Sequence, residues 1–473
     1  MFYQIALIVY ALATVVTMVR VLMDRRQPAK TIAWLLVLMF LPVIGIIIYF
    51  FFGQNTRKER IISQKSLDHL TSRKMMEFVE QRDLTLPEQH ESLIKLFINQ
   101  GWAVPLRGGV SEIYVNGYEF FPALLSAISR ATHHIHLTTY IYEDDALGNL
   151  IADALIAKAK DGVEVRVIYD DVGCWKVPLR FYNRMEKAGI EIYAFMPVRF
   201  PAFTSKVNYR NHRKICVIDG STAFIGGMNI AMRYVKGTKG KSQGWRDTHL
   251  KIEGTAVAGL QCAFLTDWYF VSRILINDRR YYGGARQNHP SSLIQLVTSN
   301  PTSPWPDIEQ GYVHILLSAK KYVYLETPYF LPTEPILFAM RTAALADIDV
   351  RLMVPHHIDA KLVEWASRSY VIQTVEAGVK VYIYEPAFNH SKLLICDDTL
   401  SSCGSANIDF RSFENNFEAN VFIYDKATAL RLKQVFLDDQ AQCVLLDDIT
   451  NLEHRPFLTR LWEAVVRLLA PLL

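Results

Sequence analysis

The sequence predicts an α/β protein with two pseudo-symmetric sandwich domains, of the α/β/α kind, preceded by a two-helix transmembrane hairpin. One short motif occurs twice, beginning at His212 and at His390, and its five matched positions all share one offset (390 − 212 = 178). Short apolar runs typical of buried strands alternate with helix-like runs in both halves. Two long uncharged runs open the chain.

The first element is the membrane hairpin, predicted over residues 1–55. Phe2–Val19 and Thr31–Phe52 carry no charge. At about 1.5 Å per residue, each run can cross roughly 30 Å of hydrocarbon as a helix. Pro42 and Gly45 leave two forms open for the second run, a kinked spanning helix or a shallow hairpin.

The charges and cysteines bear on the side of the membrane. Residues 24–30 and 57–60 are both basic, so the positive-inside rule does not decide the orientation. The six cysteines form no CxxC pair, and several lie in apolar runs, which favours buried free thiols in a reducing compartment. The cysteines therefore favour the cytoplasmic side for the domains that follow the membrane hairpin.

Three further regions complete the predicted organisation. Residues 56–105 are charged and helix-prone and are predicted to connect to the membrane segment. Two similar domains follow, 106–289 and 290–473, with a polar boundary near residues 287–292. The predicted strands are Val163–Asp170, Ile190–Phe195, Lys214–Asp219, Thr248–Ile252, Tyr322–Thr327, Asp349–Val354, Val379–Tyr384, Leu393–Cys396 and Ala419–Tyr424, and the predicted helices are Leu147–Lys160, Leu179–Ala188 and Ala360–Ala377.

The spacing inside the motif separates its residues into two roles. Residues two apart on a strand share a face, so His212 points with Lys214, and in the second copy His390 points with Lys392. Asp219 and its counterpart Asp397 stand at odd offsets and are expected to hold the turn after each strand. An asparagine follows each copy, at Asn229 and Asn407.

This chemistry suits attack on a phosphodiester. A histidine gains or loses a proton near neutral pH, while a lysine and an amide stabilise charge on the phosphate oxygens. Two such sets place a nucleophile on one side of phosphorus and a proton donor on the other.

The duplicated motif, His-x-Lys-x4-Asp followed by Gly-Gly/Ser-x-Asn, resembles that of the phospholipase D superfamily from about residue 105 onward. The resemblance implies a phospholipase D-like fold in each domain and a phosphohistidine intermediate, with His212 as nucleophile and His390 as general acid and then base. The two roles can be exchanged. The residues implied as catalytic or supporting are His212, Lys214, Asp219, His390, Lys392, Asp397, Asn229, Asn407, Asp247, Glu418, Ser405 and Gly227.

The resemblance also implies a function for two acids. Asp247 and Glu418 are expected to orient the active histidines, each reaching the histidine of the other half. The alternative is that both acids lie at exposed strand ends.

Several other classes of function are disfavoured. A net charge of +4 is small for 473 residues and argues against a nucleic-acid partner. His133, His134 and His136 lack neighbouring acids or cysteines, so a structural role is favoured over a metal site. Neither a metal nor a cofactor is expected.

Residues 25–53 resemble the N-terminal membrane hairpin of bacterial cardiolipin synthases. The resemblance implies a multi-pass protein of the bacterial inner membrane, and with the cysteines we expect its catalytic domains to be cytoplasmic. The resemblance implies transfer of a phosphatidyl group between two phosphatidylglycerol molecules, with phosphatidylglycerol and other anionic phospholipids as partners and a homodimer as an open expectation. The alternatives are a membrane-anchored phospholipase D-type hydrolase or nuclease that uses water, and a non-catalytic lipid-binding scaffold.

Two surface segments keep two interpretations each. The basic stretch with Arg233, Lys236, Lys239 and Lys241 is either a headgroup-gathering loop or a solvated loop. The C-terminal run Phe457–Leu473 is either an interfacial helix or a helix docked on the protein.

Overall fold

The computed structural model describes residues 2–24, 28–41, 43–53, 85–101, 103–198, 208–238, 243–283, 292–446 and 455–472. Several expectations fall outside these ranges. They concern most of the connector, the domain boundary, Lys239 and Lys241.

The first apolar run forms one long helix, α1 (Phe2–Met23). Its mean hydropathy of 2.3 over a membrane-length window makes it, within the described residues, the single helix long and apolar enough to cross a bilayer. Its side chains are almost all exposed, and Val21 alone is buried, against Leu38 and Tyr49. An apolar helix with an uncovered surface is typical of a lipid-facing segment.

The second apolar run is broken rather than continuous. It forms α2 (Pro28–Phe40) and, after an interruption, α3 (Ile44–Ile48). The sequence has Pro42 at the interruption, where a proline ring removes a backbone hydrogen bond. A Cβ built at Gly45 would lie 2.6 Å from the Val37 carbonyl oxygen, so only glycine lets α3 approach α2 this closely.

The end of the connector packs on the second half of the chain. Helix α4 (Glu91–Gly101) buries Leu93, Ile94 and Phe97 in that half's core, and the Phe97 ring lies 4.5 Å from that of Phe422. The connector therefore reaches past the first half to the second.

The first half alternates strands and helices. Its strands are β1 (Leu106–Tyr114), β2 (His134–Thr139), β3 (Glu164–Asp170), β4 (Glu191–Phe195), β5 (Ile215–Ile218), β6 (Thr222–Gly226) and β7 (His249–Glu253). Its helices are α5 (Gly117–Arg130), α6 (Ala146–Lys160), α7 (Leu179–Lys187), α8 (Arg233–Lys236) and α9 (Val257–Ser272).

The second half repeats this scheme with two added short strands and an edge strand. Its strands are β8 (Ser292–Ser299), β9 (Tyr322–Glu326), β10 (Phe330–Leu331), β11 (Asp349–Pro355), β12 (Lys380–Tyr384), β13 (Leu393–Cys396), β14 (Leu400–Gly404), β15 (Ile408–Asp409), β16 (Glu418–Tyr424) and β17 (Cys443–Leu445). Its helices are α10 (Asp307–Ser318), α11 (Glu334–Leu345), α12 (Lys361–Glu376), α13 (Phe410–Glu414), α14 (Lys426–Gln440) and α15 (Phe457–Arg467).

Every strand and helix predicted for the two similar halves is confirmed, with bounds that differ by no more than one residue, whereas the predicted second membrane helix is not continuous. The strands that were not predicted include β1 and β8, and these two join the halves. They pair antiparallel, with Leu106 opposite Ile294, so both halves share one sheet of 15 strands. Its order, β17-β12-β11-β9-β13-β14-β16-β8-β1-β7-β6-β5-β2-β3-β4, repeats about this junction.

The two halves also share one apolar core. It contains Ile215 and Ile225 from the first half, Leu393 and Ile395 from the second, and the inner faces of α9 and α14. Helices α5 to α7 cover the other face of the first half, and α4 and α10 to α12 cover that of the second. The motif strands β5 and β13 are thus buried on both faces, as their uninterrupted apolar runs predicted.

The C-terminal helix is docked on the protein and also exposes an apolar face. Glu463 of α15 lies 3.2 Å from Arg368 of α12, and Val466 is buried. Phe457 and Leu458 are 75% and 76% exposed. Docking on the protein is therefore confirmed, and the interfacial interpretation stays a prediction for the exposed face.

All six cysteines carry free thiols, and five of them are buried.

Candidate active site

The motif residues lie at the ends of the two buried strands. Strands β5 and β13 are the apolar runs of the two motifs. The polar residues His212 and Lys214 lie just before β5, and His390 and Lys392 lie just before β13. All four side chains are at least nine-tenths buried as residues, with exposures of 8%, 3%, 5% and 1%. The sequence had placed Lys214 at the start of its strand, whereas the structure begins β5 at Ile215; Lys392 lies just before β13, as predicted.

Backbone hydrogen bonds tie each motif to the opposite half. The His212 amide donates to the Phe417 carbonyl at 2.9 Å, and the His390 amide donates to the Arg246 carbonyl at 2.7 Å. These contacts belong to two short parallel bridges between the halves. The residue after each acceptor is an acid, so each bridge holds a carboxylate beside the histidine.

The two acids accordingly contact the histidines across the halves. Nδ1 of His212 lies 3.1 Å from Oε1 of Glu418, and Nδ1 of His390 lies 2.7 Å from Oδ2 of Asp247. Both carboxylates are completely buried. A carboxylate on Nδ1 fixes the tautomer and leaves Nε2 for chemistry. The structure thus brings together the residues that the sequence had paired, and it does not leave the acids at exposed strand ends.

The two carboxylates have different charge environments. Burial raises the pKa of Asp247 to about 6, against the lowering effect of Lys392. Burial also acts on Glu418, but His212, Lys214 and Ser405 together hold the pKa of that carboxyl below its usual value. Glu418 is therefore the more firmly ionised partner.

Both histidines are shifted toward the neutral form. Burial lowers the pKa of His212, although Glu418 opposes this. The pKa of His390 lies well below its usual value because of burial and the cations Lys392 and Lys214. In the free protein, both imidazoles are thus mostly neutral near pH 7.

The lysines are held close to the histidines. Nζ of Lys214 donates to the His212 carbonyl at 2.5 Å, and Nζ of Lys392 donates to the His390 carbonyl. Burial lowers the pKa of Lys214 to about 7 and that of Lys392 to about 8. An anion that binds beside these lysines would therefore favour their charged forms and raise both pKa values.

Gly227 and Ser405 occupy matching positions and each touches a carboxylate. A Cβ built at Gly227 would overlap the carboxylate of Asp247. Ser405, 178 positions later, instead donates its hydroxyl to Glu418 at 2.5 Å. Ser405 thus gives Glu418 a hydrogen bond that Gly227 cannot give Asp247, in agreement with the lower pKa of Glu418.

The two asparagines line the same cavity as the histidines. Asn229 accepts from the Ile141 amide at 3.1 Å through Oδ1 and donates to the Tyr234 hydroxyl at 3.0 Å. Asn407 donates to Asp409 at 3.0 Å. These bonds fix where the side-chain amides stand.

Asp219 and Asp397 lie away from the cavity and hold turns, as expected. Oδ1 of Asp219 accepts from the His133 amide at 2.8 Å, and Oδ1 of Asp397 accepts from the Lys321 amide at 2.8 Å. Both residues adopt positive φ, 51° and 49°, which acids tolerate in tight turns. The backbone amides around Asp219 hold its pKa below the usual value, although burial opposes them.

Both histidines open onto one cavity of about 300 Å³. It is lined by Tyr140, Ile141, Arg210, His212, Asn229, Arg233, Trp245, Tyr329, Leu331, Asp359, Ala360, Val363, His390, Asn407, Asp409, Arg411 and Asn416. The aromatic members were not predicted, although Tyr140 and Tyr329 follow the strands β2 and β9 that flank the motif strands. An aromatic residue within three residues after such a strand was the available signal.

The structure also locates the clustered histidines and the basic stretch. His136 stacks on Phe264 with ring centroids 4.5 Å apart. Of the basic stretch, Arg233 lines the cavity and pairs with Glu143. Among the described residues, no group of three metal-ligating side chains is arranged to hold an ion.

Comparison with known proteins identifies the family. Residues 124–259 and 312–440 match the family model described as cardiolipin synthase, PLD-like domain, and residues 6–54 match the phospholipase D-nuclease N-terminal model. Cardiolipin synthase 2 of Bacillus anthracis is 41% identical over 96% of this chain and 88% of its own length. The major cardiolipin synthase ClsA of Bacillus subtilis (strain 168) is 38% identical over 95% of both chains.

A solved structure supports the fold. The phosphatidylserine synthase of Haemophilus influenzae Rd KW20 superposes with a TM-score of 0.62 at 15% identity, covering 81% of this chain and all of that one. The match over residues 6–54 and the apolar helix α1 together indicate that the chain associates with a membrane. The chain therefore belongs to the bacterial cardiolipin synthase family of the phospholipase D superfamily, and it is an enzyme of the phosphatidyltransferase type.

Proposed function

We propose that this enzyme transfers the phosphatidyl group of one phosphatidylglycerol to a second one through a phosphohistidine, giving cardiolipin and glycerol. The observation that carries the proposal is that both imidazoles, each with a buried carboxylate on Nδ1, line one cavity. A cavity of about 300 Å³ has room for a headgroup, and the acyl chains can stay in lipid.

In the first step, Nε2 of His212 attacks phosphorus and the bond to the glycerol oxygen breaks. His390 gives its Nε2 proton to that oxygen, so glycerol leaves as a neutral alcohol. Glu418 stabilises the positive charge that develops on the His212 ring. The assignment of nucleophile to His212 follows its pairing with the more firmly ionised acid.

In the second step, the hydroxyl of the acceptor phosphatidylglycerol gives its proton to His390, and its oxygen attacks phosphorus. The phosphorus–nitrogen bond breaks and His212 is regenerated. One phosphodiester replaces another, so the free energy of the reaction is close to zero and no nucleotide is consumed.

The lysines and asparagines would stabilise the reacting phosphate. Lys214 and Lys392 are buried, so their attraction for phosphate oxygens is stronger than in water. Asn229 and Asn407 are fixed at the cavity wall, where their amides can reach the same oxygens.

A bound phosphate also supplies the protonation state that His390 needs. In the free enzyme, burial and the lysines keep the pKa of His390 low. An anion placed among these cations favours the protonated imidazole and raises that pKa. Binding of the donor lipid therefore favours the protonated form of His390, which acts as the general acid.

The membrane arrangement belongs to the same proposal. Helix α1 spans the inner membrane with its C-terminal end on the cytoplasmic side, where the catalytic halves lie with their free thiols. Lys30 of α2 lies 2.8 Å from Glu414, which ties the membrane segment to the catalytic part. A homodimer stays a prediction.

Product analysis tests the transfer. The purified full chain, given phosphatidylglycerol in detergent, is expected to release glycerol and a four-chain lipid in equal amounts. Phosphatidic acid in place of cardiolipin would mean that water is the acceptor. Activity that survives in both His212→Ala and His390→Ala would mean that these histidines are not catalytic.

A substrate with a good leaving group tests the two roles. Phosphatidyl-p-nitrophenol needs no proton to depart, so His390→Ala is expected to release about one nitrophenol per enzyme molecule. His212→Ala is expected to release none. The opposite pattern would exchange the roles of the two histidines.

A further inference from the structure

Three arginines line the active-site cavity, and they differ in their partners. Arg210 lies 3.5 Å from Asp170, and Arg233 is paired with Glu143. Within the described ranges of the chain, Arg411 has no carboxylate within 4.0 Å and its guanidinium makes no hydrogen bond. Two of the three positive charges are therefore already neutralised, and that of Arg411 is available to a ligand.

The backbone around Arg411 is tied to a motif residue. Asp409 accepts from the Ser412 amide at 2.7 Å, which fixes the start of α13. The other oxygen of the same carboxylate accepts from Asn407 at 3.0 Å. The guanidinium thus enters the cavity from a short helix whose position is coupled to the asparagine of the second motif.

The charge of Arg411 is felt beside the nucleophile. It lowers the pKa of Tyr140, against a larger raising effect of burial. The Tyr140 ring lies 4.9 Å from that of His212. Arg411 and His212 also line the same cavity, so a group bound by Arg411 would share that cavity with the phosphorus that His212 carries.

The outer side of the same helix contacts the membrane segment. Nζ of Lys30 in α2 lies 2.8 Å from Glu414 and 5.8 Å from the ring centroid of Phe410. Helix α13 therefore stands between the cavity and the N-terminal apolar helices. The helix that carries Arg411 therefore lies on the side of the cavity that faces the membrane segment.

The proposed transfer needs two anionic phosphodiesters in succession at one cavity. The transferring phosphate occupies the histidines and the two buried lysines, so the phosphate of the acceptor requires a further cation. We propose that Arg411 binds the phosphodiester of the acceptor lipid and so selects anionic glycerophospholipids that carry a free hydroxyl. This inference rests on the proposed transfer reaction, and it concerns the acceptor alone.

A neutral acceptor separates this role from the donor chemistry. Labelled glycerol can attack the phosphohistidine and regenerate labelled phosphatidylglycerol, and it carries no phosphate for Arg411. The full-length enzyme in detergent is assayed for cardiolipin formation and for this glycerol exchange under the same conditions. Arg411→Gln is compared with Arg180→Gln, which changes an exposed arginine of α7.

Arg411→Gln is expected to lower the rate of cardiolipin formation by about 10- to 100-fold, the range for a charge-assisted bond to phosphate, while glycerol exchange falls by less than about threefold. Arg411→Lys keeps the charge but loses the forked geometry, so it is expected to fall between the wild type and the glutamine variant. Arg180→Gln is expected to match the wild type in both assays.

Equal losses in both assays would overturn the inference, because Arg411 would then serve the donor or the shape of the site. Unchanged cardiolipin formation would overturn it as well. Retained glycerol exchange in Arg411→Gln shows that this variant is folded. If Arg411→Gln does not fold, Arg411→Lys is tested in its place. Equal losses of cardiolipin formation and glycerol exchange in Arg411→Lys would then contradict the inference. A wild-type enzyme that exchanges no glycerol and makes no cardiolipin would refute the proposed function itself.

Discussion

Glu418 and His212 are 206 positions apart in the chain, yet Oε2 of Glu418 lies 3.2 Å from Nδ1 of His212. The reciprocal pair, Asp247 and His390, is 143 positions apart and joins the same two halves in the opposite direction. Each histidine therefore obtains its carboxylate from the other half. The two motifs form one candidate site only when both halves are folded together.

The first prediction concerns these carboxylates. Glu418→Gln keeps the shape but removes the charge that stabilises the His212 cation, so the turnover number is expected to fall by about 100-fold or more. Steady-state cardiolipin formation measures the effect, and the KM for phosphatidylglycerol is expected to change much less. Glu385→Gln is the matched control, because Glu385 pairs with His356 at 2.7 Å on the surface. Equal effects of the two substitutions would contradict the assigned role.

The second prediction concerns pH. A lysine loses its charge above its pKa, and burial lowers the pKa of Lys214 to about 7 and that of Lys392 to about 8. We expect kcat/KM to fall as the pH rises above about 8, because the free enzyme then lacks cations for the phosphate. The value of kcat is expected to fall less, since a bound anion raises both pKa values. A value of kcat/KM that stays constant up to about pH 10 would contradict this account.

The third prediction concerns the motif aspartates. Asp219 accepts amide hydrogen bonds in a turn with positive φ, and an asparagine tolerates that backbone but presents an amide to the donors. Asp219→Asn is expected to lower the free energy of unfolding by about 1–3 kcal/mol, with turnover per folded molecule nearly unchanged. Thermal unfolding in detergent and active-site titration measure the two quantities. Asp161→Asn, at a 67%-exposed side chain, is the control. A large loss of turnover at full stability would make Asp219 catalytic after all.

The fourth prediction concerns Gly227. A methyl group there overlaps the Asp247 carboxylate, so Gly227→Ala is expected to lower turnover about as much as Asp247→Asn. The double variant is expected to lose little more, because both changes disturb one pair. Gly101→Ala is the control, since nothing lies within 4 Å of the added methyl group. If the losses of the two single variants multiply in the double variant, Gly227→Ala does not act through Asp247.

The sequence predicted the parts of the fold that local pattern determines. Strands such as Leu393–Cys396 are short apolar runs buried on both faces, so composition alone indicates them. The turn at Asp397 was also predictable, because this acid stands an odd number of residues after His390 and therefore faces away from it. The offset of 178 positions between the motifs (390 − 212) fixed the pairing of equivalent residues without any long-range information.

The sequence could not predict how the halves join. Leu106 pairs with Ile294 through strands that carry no strong periodic signal, and a partner so distant in the chain leaves no local pattern. The hydrogen bond from His212 to Phe417 is of the same kind. Tyr140 was missed for another reason, since a single aromatic residue after a strand is compatible with a core position as well as with a cavity wall.

The second apolar run was predicted only in part. Its length suits a spanning helix, whereas the 13 residues of α2 reach only about 20 Å. The break near Pro42 was foreseen as a possibility, but the close approach of Gly45 to Val37 depends on tertiary packing that hydropathy does not describe.

In the proposed reaction, one phosphorus atom is attacked twice, first by His212 and then by the acceptor hydroxyl. Each in-line displacement inverts phosphorus, so two displacements restore its configuration. Phosphatidylglycerol made chiral at phosphorus with oxygen isotopes, converted by the purified enzyme with labelled glycerol as acceptor, reports this directly. We predict net retention of configuration, and net inversion would show direct transfer without the phosphohistidine.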